Sequence, residues 1–355
     1  MVPNRVAAVR GYLERMGLDA ILVTSIQSIR YLSGFTGSDG VLVVSCDGGW
    51  FLTDSRYRSQ ADEQVAGFNV VEYRRKFEET AVLLQEQGFG KVGFEAVSVT
   101  VAQYKVLMET LSGVELLPLP GDFETIRSVK DQGELGNLGR IAELSSQSFM
   151  DLIPEIRPGT TERRLALSLE WRLREAGAAA ASFSFIVASG SRGALPHAVP
   201  TNRAVVQGDL VTFDFGGVLE GYCSDETVTV AVGSVDARQR EVYQVVKSAH
   251  DRAIDRVKPG ISCREVDAVA RDYIGAKGFA EYFGHGTGHG VGLEVHEKPV
   301  LSPRSEEILE EGMVVTIEPG IYIPGWGGVR IEDTICVTHD GCRILTKVPK
   351  ELMVL

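Results

Sequence analysis

Ten residues beginning at Ile156, Ile-Arg-Pro-Gly-Thr-Thr-Glu-Arg-Arg-Leu, return at Val257 as Val-Lys-Pro-Gly-Ile-Ser-Cys-Arg-Glu-Val. The offset is 257 − 156 = 101 residues, and the match continues without a gap to Gly177 and Gly278. Such a repeat predicts two related half-folds in this part of the chain. In both copies Pro-Gly ends one helix, and Thr161 or Ser262 can cap the next. Ser262 and Glu265 have the spacing of a reciprocal capping box. Each helix is followed by a pair of predicted strands, at about 210–232 and about 313–337.

The two strand pairs carry similar chemistry. Asp214 lies in an apolar strand, where a charge is costly unless paired or liganded. Alternation puts Leu210, Thr212 and Asp214 on one face, and Asp225, Thr227 and Thr229 on one face of the returning strand. A hairpin through Gly216-Gly217 and Gly221 would set Asp214 beside Asp225. In the second copy Glu318 ends an apolar strand, and Glu332 is expected on the strand that follows. The separations, 225 − 214 = 11 and 332 − 318 = 14, fit two similar hairpins. One such acid alone is ordinarily a strand-end carboxylate satisfied by the backbone. Four brought together by face-to-face repeats would repel strongly in a low-dielectric interior, and divalent cations would relieve that repulsion.

Between the acids lies His285-Gly-Thr-Gly-His-Gly-Val-Gly-Leu-Glu-Val-His-Glu297, which holds three of the six histidines. Its alternate glycines let the backbone pass close to something that side chains would block. Histidines there suggest a metal or a reacting carbonyl. A phosphate loop is excluded, because no Gly-Lys-Ser/Thr follows and the spacing is not that of a dinucleotide turn. Oxygen-rich ligation with one imidazole favours a hard ion such as Mn²⁺ over a thiolate zinc site.

The first part of the chain reads differently. Helices are expected over 4–16, 56–65, 78–87 and 100–111, with a short apolar turn or helix at 29–35. Strands are expected at 19–24, 70–73 and 91–94, with a hairpin at 41–45 and 50–53. That alternation predicts a compact α/β domain over 1–120. It contains no histidine. Its only notable polar cluster is Asp54, Arg56 and Tyr57, which suits a surface or subunit contact better than chemistry. Leu117–Gly121 is the best linker candidate, so the linker is placed at 121–135 and the second domain at 136–355. A long polar helix should run to about 156.

Composition narrows the partners. A chain of 355 residues with 44% hydrophobic and 24% charged residues is an ordinary globular protein. Its 36 basic and 48 acidic residues give a net charge of −12, which argues against nucleic acid or an anionic membrane as partner. Five scattered cysteines without a Cys-x-x-Cys read as reduced thiols. With no apolar leader and no run long enough to span a membrane, a cytoplasmic location is expected.

The sequence resembles the proline-specific metallopeptidases of the pita-bread fold, Xaa-Pro aminopeptidase and Xaa-Pro dipeptidase (prolidase). The residues that carry the resemblance are Ser189-Gly190, Pro196-His197, Pro200-Thr201, Asp214-Phe-Gly, Ser224-Asp225, the stretch from His285 to Glu297, Ile317-Glu318-Pro-Gly and Val329-Arg-Ile-Glu-Asp. A looser similarity to the creatinase-like N-terminal domain rests on Tyr31-Leu-Ser-Gly-Phe-Thr-Gly-Ser and Thr53-Asp-Ser-Arg-Tyr.

The resemblance implies an α/β creatinase-like domain followed by a pita-bread domain with a pseudo-twofold repeat. It also implies two divalent ions, Mn²⁺ foremost with Co²⁺ or Zn²⁺ as alternatives. Asp214, Asp225, His289, Glu318 and Glu332 would be the ligands, with Asp225 and Glu332 bridging. Glu318 would shuttle a proton. His197 and His296 would flank the site and steady the substrate carbonyl and oxyanion. Arg330 would bind a carboxylate of the substrate or of the site. His285 would hold the glycine segment, and Thr227 would bond a ligand carboxylate. His250 and His339 are assigned to core or surface. The implied substrate is a proline-containing peptide, and the implied assembly a homodimer.

One departure stands out. After Asp225, relatives usually read apolar-Thr-Arg-Thr, whereas this chain reads Glu226-Thr227-Val228-Thr229. Alternation turns Glu226 and Val228 away from the acidic face, so something on the back of that strand must differ. Two other readings belong to the same fold: a metal-free creatinase-like amidinohydrolase and a non-catalytic peptide- or protein-binding module. Both tend to lack the acidic ligands. Methionine aminopeptidase shares the ligands but generally lacks such an N-terminal domain.

Overall fold

The computed structural model describes residues 2–119 and 121–355. Met1 and Pro120, the residue expected to end the first domain, lie outside them. The chain divides into two compact units, Met1–Arg127 and Ser128–Leu355.

The first unit runs α1 (Val2–Met16), β1 (Ala20–Val23), α2 (Ile26–Ser33), β2 (Val41–Ser45), β3 (Gly49–Thr53), α3 (Arg58–Gln64), β4 (Asn69–Glu72), α4 (Lys76–Glu86), β5 (Lys91–Glu95), α5 (Val101–Thr110) and β6 (Glu115–Leu119). The strands form one sheet in the order β4-β3-β2-β1-β5-β6. The Ala-Ile-Leu-Val of β1 is buried throughout, as an inner strand covered on both faces requires. Apolar residues of α4 and α5, including Ala81, Leu84 and Leu107, pack with Leu22, Val43 and Leu52 of the sheet. Caps set the helix starts: Ser25 accepts from the Ser28 N–H, and Thr100 forms a reciprocal box with Gln103.

The expected linker at Leu117–Gly121 is a correction. Its residues through Leu119 belong to β6, which pairs in parallel with β5. Pro118 suggested a break, but an edge strand tolerates proline because one side has no partner to receive an N–H. Residues 121–127 form a 3₁₀ turn. Arg56 clasps Asp54 through Nε at 3.0 Å and Nη2 at 2.6 Å, and the Tyr57 and Ser38 hydroxyls lie 2.6 Å apart.

In the second unit the repeat becomes architecture. The first half holds α6 (Gln132–Leu152), α7 (Glu162–Glu175), β7 (Ala180–Ala181), β8 (Ile186–Ser189), β9 (Leu210–Phe215), β10 (Gly217–Leu219), β11 (Tyr222–Cys223) and β12 (Glu226–Ala231). The second holds α8 (Ala237–Arg256), α9 (Cys263–Ala276), β13 (Gly288–Gly290), β14 (Glu297–Leu301), β15 (Val314–Ile317), β16 (Gly320–Ile323), β17 (Gly327–Arg330), β18 (Asp333–Val337) and β19 (Cys342–Ile344). Helices α7 and α9 have 14 residues each and start 263 − 162 = 101 apart. The Gly159 and Gly260 N–H groups before them donate to Val205 and Leu309 carbonyls at 2.9 and 2.8 Å.

Each half has its own core. Ile141, Phe149, Leu165 and Leu169 of α6 and α7 pack on Val187, Phe213 and Val230 of the sheet β12-β9-β8. Val246, Val266 and Ala270 of α8 and α9 pack on Val315, Ile317 and Ile335 of the sheet β14-β13-β15-β18-β19. This is the creatinase-like plus pita-bread architecture expected from the sequence.

Two details differ. Thr161 and Ser262 cap their helices by accepting from the Arg164 and Glu265 N–H groups, but the second arm of the capping box is missing. The Glu265 carboxylate pairs with Arg256 instead. Each strand pair is also interrupted by an inner hairpin, β10-β11 in the first half and β16-β17 in the second. No described helix is long and apolar enough to cross a membrane, and all five cysteines are free.

Candidate metal centre

The acids arrive at one place from four strand ends. Asp214, next to last in β9, faces Thr227 across the ladder, and Thr212 faces Thr229 with hydroxyl oxygens 3.0 Å apart. Asp225 is therefore not the cross-strand partner of Asp214; it sits just before β12 begins. Glu318 follows β15 directly. Glu332 lies on no strand, contrary to expectation, but in the two-residue break between β17 and β18. The acids remain repeat-related, at 318 − 214 = 104 and 332 − 225 = 107, because the inner hairpin is longer in the second half.

The glycine-histidine stretch passes between them as β13, paired with both β14 and β15. A Cβ on Gly288 would stand 1.9 Å from the Thr316 carbonyl oxygen, and one on Gly290 2.3 Å from that of Lys298. The alternate glycines thus serve backbone crowding, which leaves His289 as the side chain presented to the acids. Its Nδ1–H donates to the Gly290 carbonyl at 3.1 Å, which directs Nε2 inward. There Nε2 lies 3.3 Å from Glu318 Oε1 and 3.6 Å from Asp225 Oδ2. Asp225, His289 and Glu332 each offer a ligand atom, all within 4.8 Å of one another.

The donor set is one that a cation would complete. Asp214 Oδ1, Asp225 Oδ1 and Glu332 Oε1 are buried and accept no hydrogen bond. An unsatisfied buried carboxylate oxygen is expensive, and three such oxygens, two of them on acids grouped with His289, fit a hard divalent ion. Without such an ion, burial and the neighbouring acids push Asp225 and Glu332 well above the usual carboxylate range. Burial also raises Asp214, against the pull of Arg330. Glu318 goes the other way. Burial opposes its ionisation, but His289, His285 and Arg330 outweigh it and bring its pKa to about 2. His289 is lowered by burial and raised by more through Glu318.

Polar side chains behind the acids fix their orientation. Arg330, buried, donates to Asp214 Oδ2 at 2.5 Å, to Thr227 Oγ1 at 3.1 Å, to the Tyr322 hydroxyl at 2.9 Å and to the Pro196 carbonyl at 3.2 Å. Thr227 passes its own hydrogen to Glu332 Oε2 at 2.6 Å. His285 gives Nδ1–H to the Gly286 carbonyl at 2.7 Å, so its Nε2 accepts from Tyr322 at 2.9 Å. Burial lowers the pKa of His285 and lifts that of Tyr322 to about 12, which keeps both neutral.

His296 is exposed, its ring centroid 4.3 Å from that of His289. Burial, His289 and His197 together hold it below the usual imidazole range. His197 is exposed in the loop after the 3₁₀ turn Gly190–Ala194. His250 is buried beside Asp333, and the His339 side chain is 92% exposed.

Several residues of this framework were not singled out from the sequence. Tyr322 is one. Thr316 is another: its hydroxyl accepts from the His289 N–H at 3.0 Å and lies 3.3 Å from Glu318 Oε1. Its signal was present, since Thr316 precedes Glu318 by two residues, as Thr212 precedes Asp214. Asp267 on α9 accepts from the Thr287 N–H and hydroxyl at 3.0 and 2.9 Å and pairs with Arg271, whose guanidinium also holds the His285 carbonyl at 2.6 Å. Glu162 does similar work for the His197 loop. Its carboxylate accepts from Ser189, Arg192 and Thr201 at 2.6–3.2 Å.

A family model described as Metallopeptidase family M24 matches residues 137–339, and one described as Creatinase/Prolidase N-terminal domain matches residues 5–129. The chain is 45% identical to the uncharacterized peptidase YqhT of Bacillus subtilis, over 98% of each. It is 36% identical to a protein named Xaa-Pro dipeptidase from Pyrococcus horikoshii, over 99% of each. Among solved structures, the Xaa-Pro dipeptidase from Bacillus anthracis matches with a TM-score of 0.97 at 43% identity, over 100% of both chains. The X-Pro aminopeptidase from Thermotoga maritima matches with a TM-score of 0.88 at 35% identity, over 96% of this chain and 99% of that one.

Proposed function

Because the chain belongs to metallopeptidase family M24, we propose that it hydrolyses the peptide bond before proline, in a dipeptide or at the N-terminus of a longer peptide. Asp214, Asp225, His289, Glu318 and Glu332 would hold two divalent cations, with Mn²⁺ the preferred ion. The choice of bond rests on relatives named for it. The observation that carries the metal reading is the grouping of ligand atoms of Asp225, His289 and Glu332 within 4.8 Å of one another, with buried oxygens of Asp214, Asp225 and Glu332 left unsatisfied.

Cations bound there would supply polarisation of the scissile carbonyl and activation of water. The chain's own groups do the rest. Glu318, ionised at neutral pH, can accept the proton of an attacking water and return it to the leaving proline nitrogen. His197 and His296, on the exposed side, can donate to the carbonyl oxygen as it gains charge. Arg330 is committed to Asp214, Thr227, Tyr322 and Pro196, so its role is to orient Asp214 rather than to read a substrate carboxylate. The reading includes a homodimer, which sedimentation would check.

The test is a titration of metal-stripped protein with Mn²⁺, together with Asp214→Asn. Two equivalents per chain are expected, and the substitution should remove activity and weaken binding. Protein that is active without any divalent metal and indifferent to Asp214→Asn would refute the reading.

A further inference from the structure

Glu226, one of the two residues that depart from the family pattern, is wholly buried on the face of β12 that points away from the metal centre. Its carboxylate accepts from Ser146 Oγ at 2.6 Å, from the Val348 N–H at 3.1 Å and from Lys350 Nζ at 2.5 Å. The same ammonium lies 3.2 Å from Asp333 Oδ1. Thr346 donates to that oxygen at 2.5 Å, and His250 Nε2 lies 3.2 Å from the other oxygen of Asp333. All three ions of the group are at most 7% exposed.

The position of this group matters more than its energy. Glu226 follows Asp225, and Asp333 follows Glu332. The strands that begin with them, β12 and β18, belong to different sheets and are not neighbours in any ladder. A ladder therefore does not set the spacing of Asp225 and Glu332. On the metal side the joins are separate hydrogen bonds, among them that of Thr227 to Glu332 Oε2 and those between Thr229 and Arg330. The Glu332 N–H donates to the Thr227 carbonyl at 3.1 Å, and Thr334 Oγ1 donates to the Asp225 carbonyl at 2.7 Å. On the far side, two carboxylates from the two repeats would stand close together with like charge. Asp225 and Glu226 are bonded neighbours in the chain, as are Glu332 and Asp333. A shift that separated Glu226 from Asp333 would therefore carry Asp225 and Glu332 with it.

We infer that Lys350 is a positioning residue for the metal centre: its ammonium, by joining Glu226 to Asp333, fixes the spacing of Asp225 and Glu332. The inference rests on the proposed metal binding by those two carboxylates. It also accounts for the Glu226 half of the departure, since a glutamate in place of an apolar residue behind Asp225 is matched by Lys350.

The test uses the full chain stripped of metal. Mn²⁺ affinity is measured by calorimetry and the metal-free melting midpoint by circular dichroism, for the unsubstituted protein, Lys350→Met, Lys350→Arg and Glu226→Gln. Lys350→Met should weaken Mn²⁺ binding by about 10- to 100-fold, the usual loss when a group that orients a metal ligand is removed. Lys350→Arg should recover most of it. Glu226→Gln keeps the side-chain shape and should weaken binding by less in the same direction; it serves as the readout if Lys350→Met does not fold. Lower melting midpoints with unchanged Mn²⁺ affinity, or no recovery with arginine, would overturn the inference while leaving the metal reading standing. No Mn²⁺ binding by the unsubstituted protein would overturn both.

Discussion

Replacing Asp225 by asparagine in metal-free protein should stabilise it. Asp225 and Glu332 present oxygens within 4.8 Å of each other. Two unit charges at that distance repel by about 3.5 kcal/mol at an effective dielectric constant of about 20. Burial and the neighbouring acids raise the pKa values of both groups, so protonation can relieve part of this strain. The expected gain from Asp225→Asn is therefore about 1–3 kcal/mol, below the Coulomb bound. With Mn²⁺ the sign reverses. Free metal at about 100 times its Kd should stabilise the unsubstituted protein by about 2.7 kcal/mol, and the variant by far less. The assay is urea unfolding with and without Mn²⁺, read on the transition that responds to the metal, since a chain of two units need not unfold in one step. Loss of metal-free stability in Asp225→Asn would refute the reasoning, because it would mean that the carboxylate is satisfied by the protein alone.

The same strain has a pH signature. Asp225 and Glu332 have folded pKa values above their ordinary 3.8 and 4.5, so metal-free stability is greatest below that range and falls as pH rises through the folded values. His289, raised on balance by Glu318, has the same sign, whereas the contribution of Glu318, lowered to about 2, is constant above its ordinary 4.5. Unfolding at about pH 6 and about pH 8 should thus show the metal-free chain weaker at the higher pH, and saturating Mn²⁺ should reverse the trend because the ion displaces protons. Glu162→Ala should cost about 3–5 kcal/mol in the same unfolding assay, since it leaves the Arg192 charge without its carboxylate and frees both ends of the His197 loop.

The fold was legible where periodicity and repetition speak. The 101-residue offset reappears as two helices that start 101 residues apart, and the alternation of Thr212 with Asp214 and of Thr227 with Thr229 places them on one face as expected. Alternation also turned Glu226 off the acidic face, where the structure finds it bonded to Ser146 and Lys350. What escaped was set by long-range contacts. Pro118 looked like a break because its place at a sheet edge depends on β5, 24 residues earlier by the register Phe94↔Pro118. Glu332 looked like a strand residue because nothing local announces the inner hairpin β16-β17. Lys350 is 124 residues from Glu226, and no local pattern links a C-terminal lysine to a strand in the opposite repeat. Glu265 had the spacing for a capping box, yet Arg256 competes for its carboxylate.

The most direct test of the central claim is proline release from Ala-Pro and cleavage of Ala-Pro-Ala by metal-stripped protein, before and after Mn²⁺ is returned. The account predicts hydrolysis of at least one of the two, at the bond before proline, only with the metal present and lost in Asp225→Asn. Absence of hydrolysis of both peptides with Mn²⁺, Co²⁺ and Zn²⁺, in protein that binds the ions, would contradict it and leave a metal site without a peptidase.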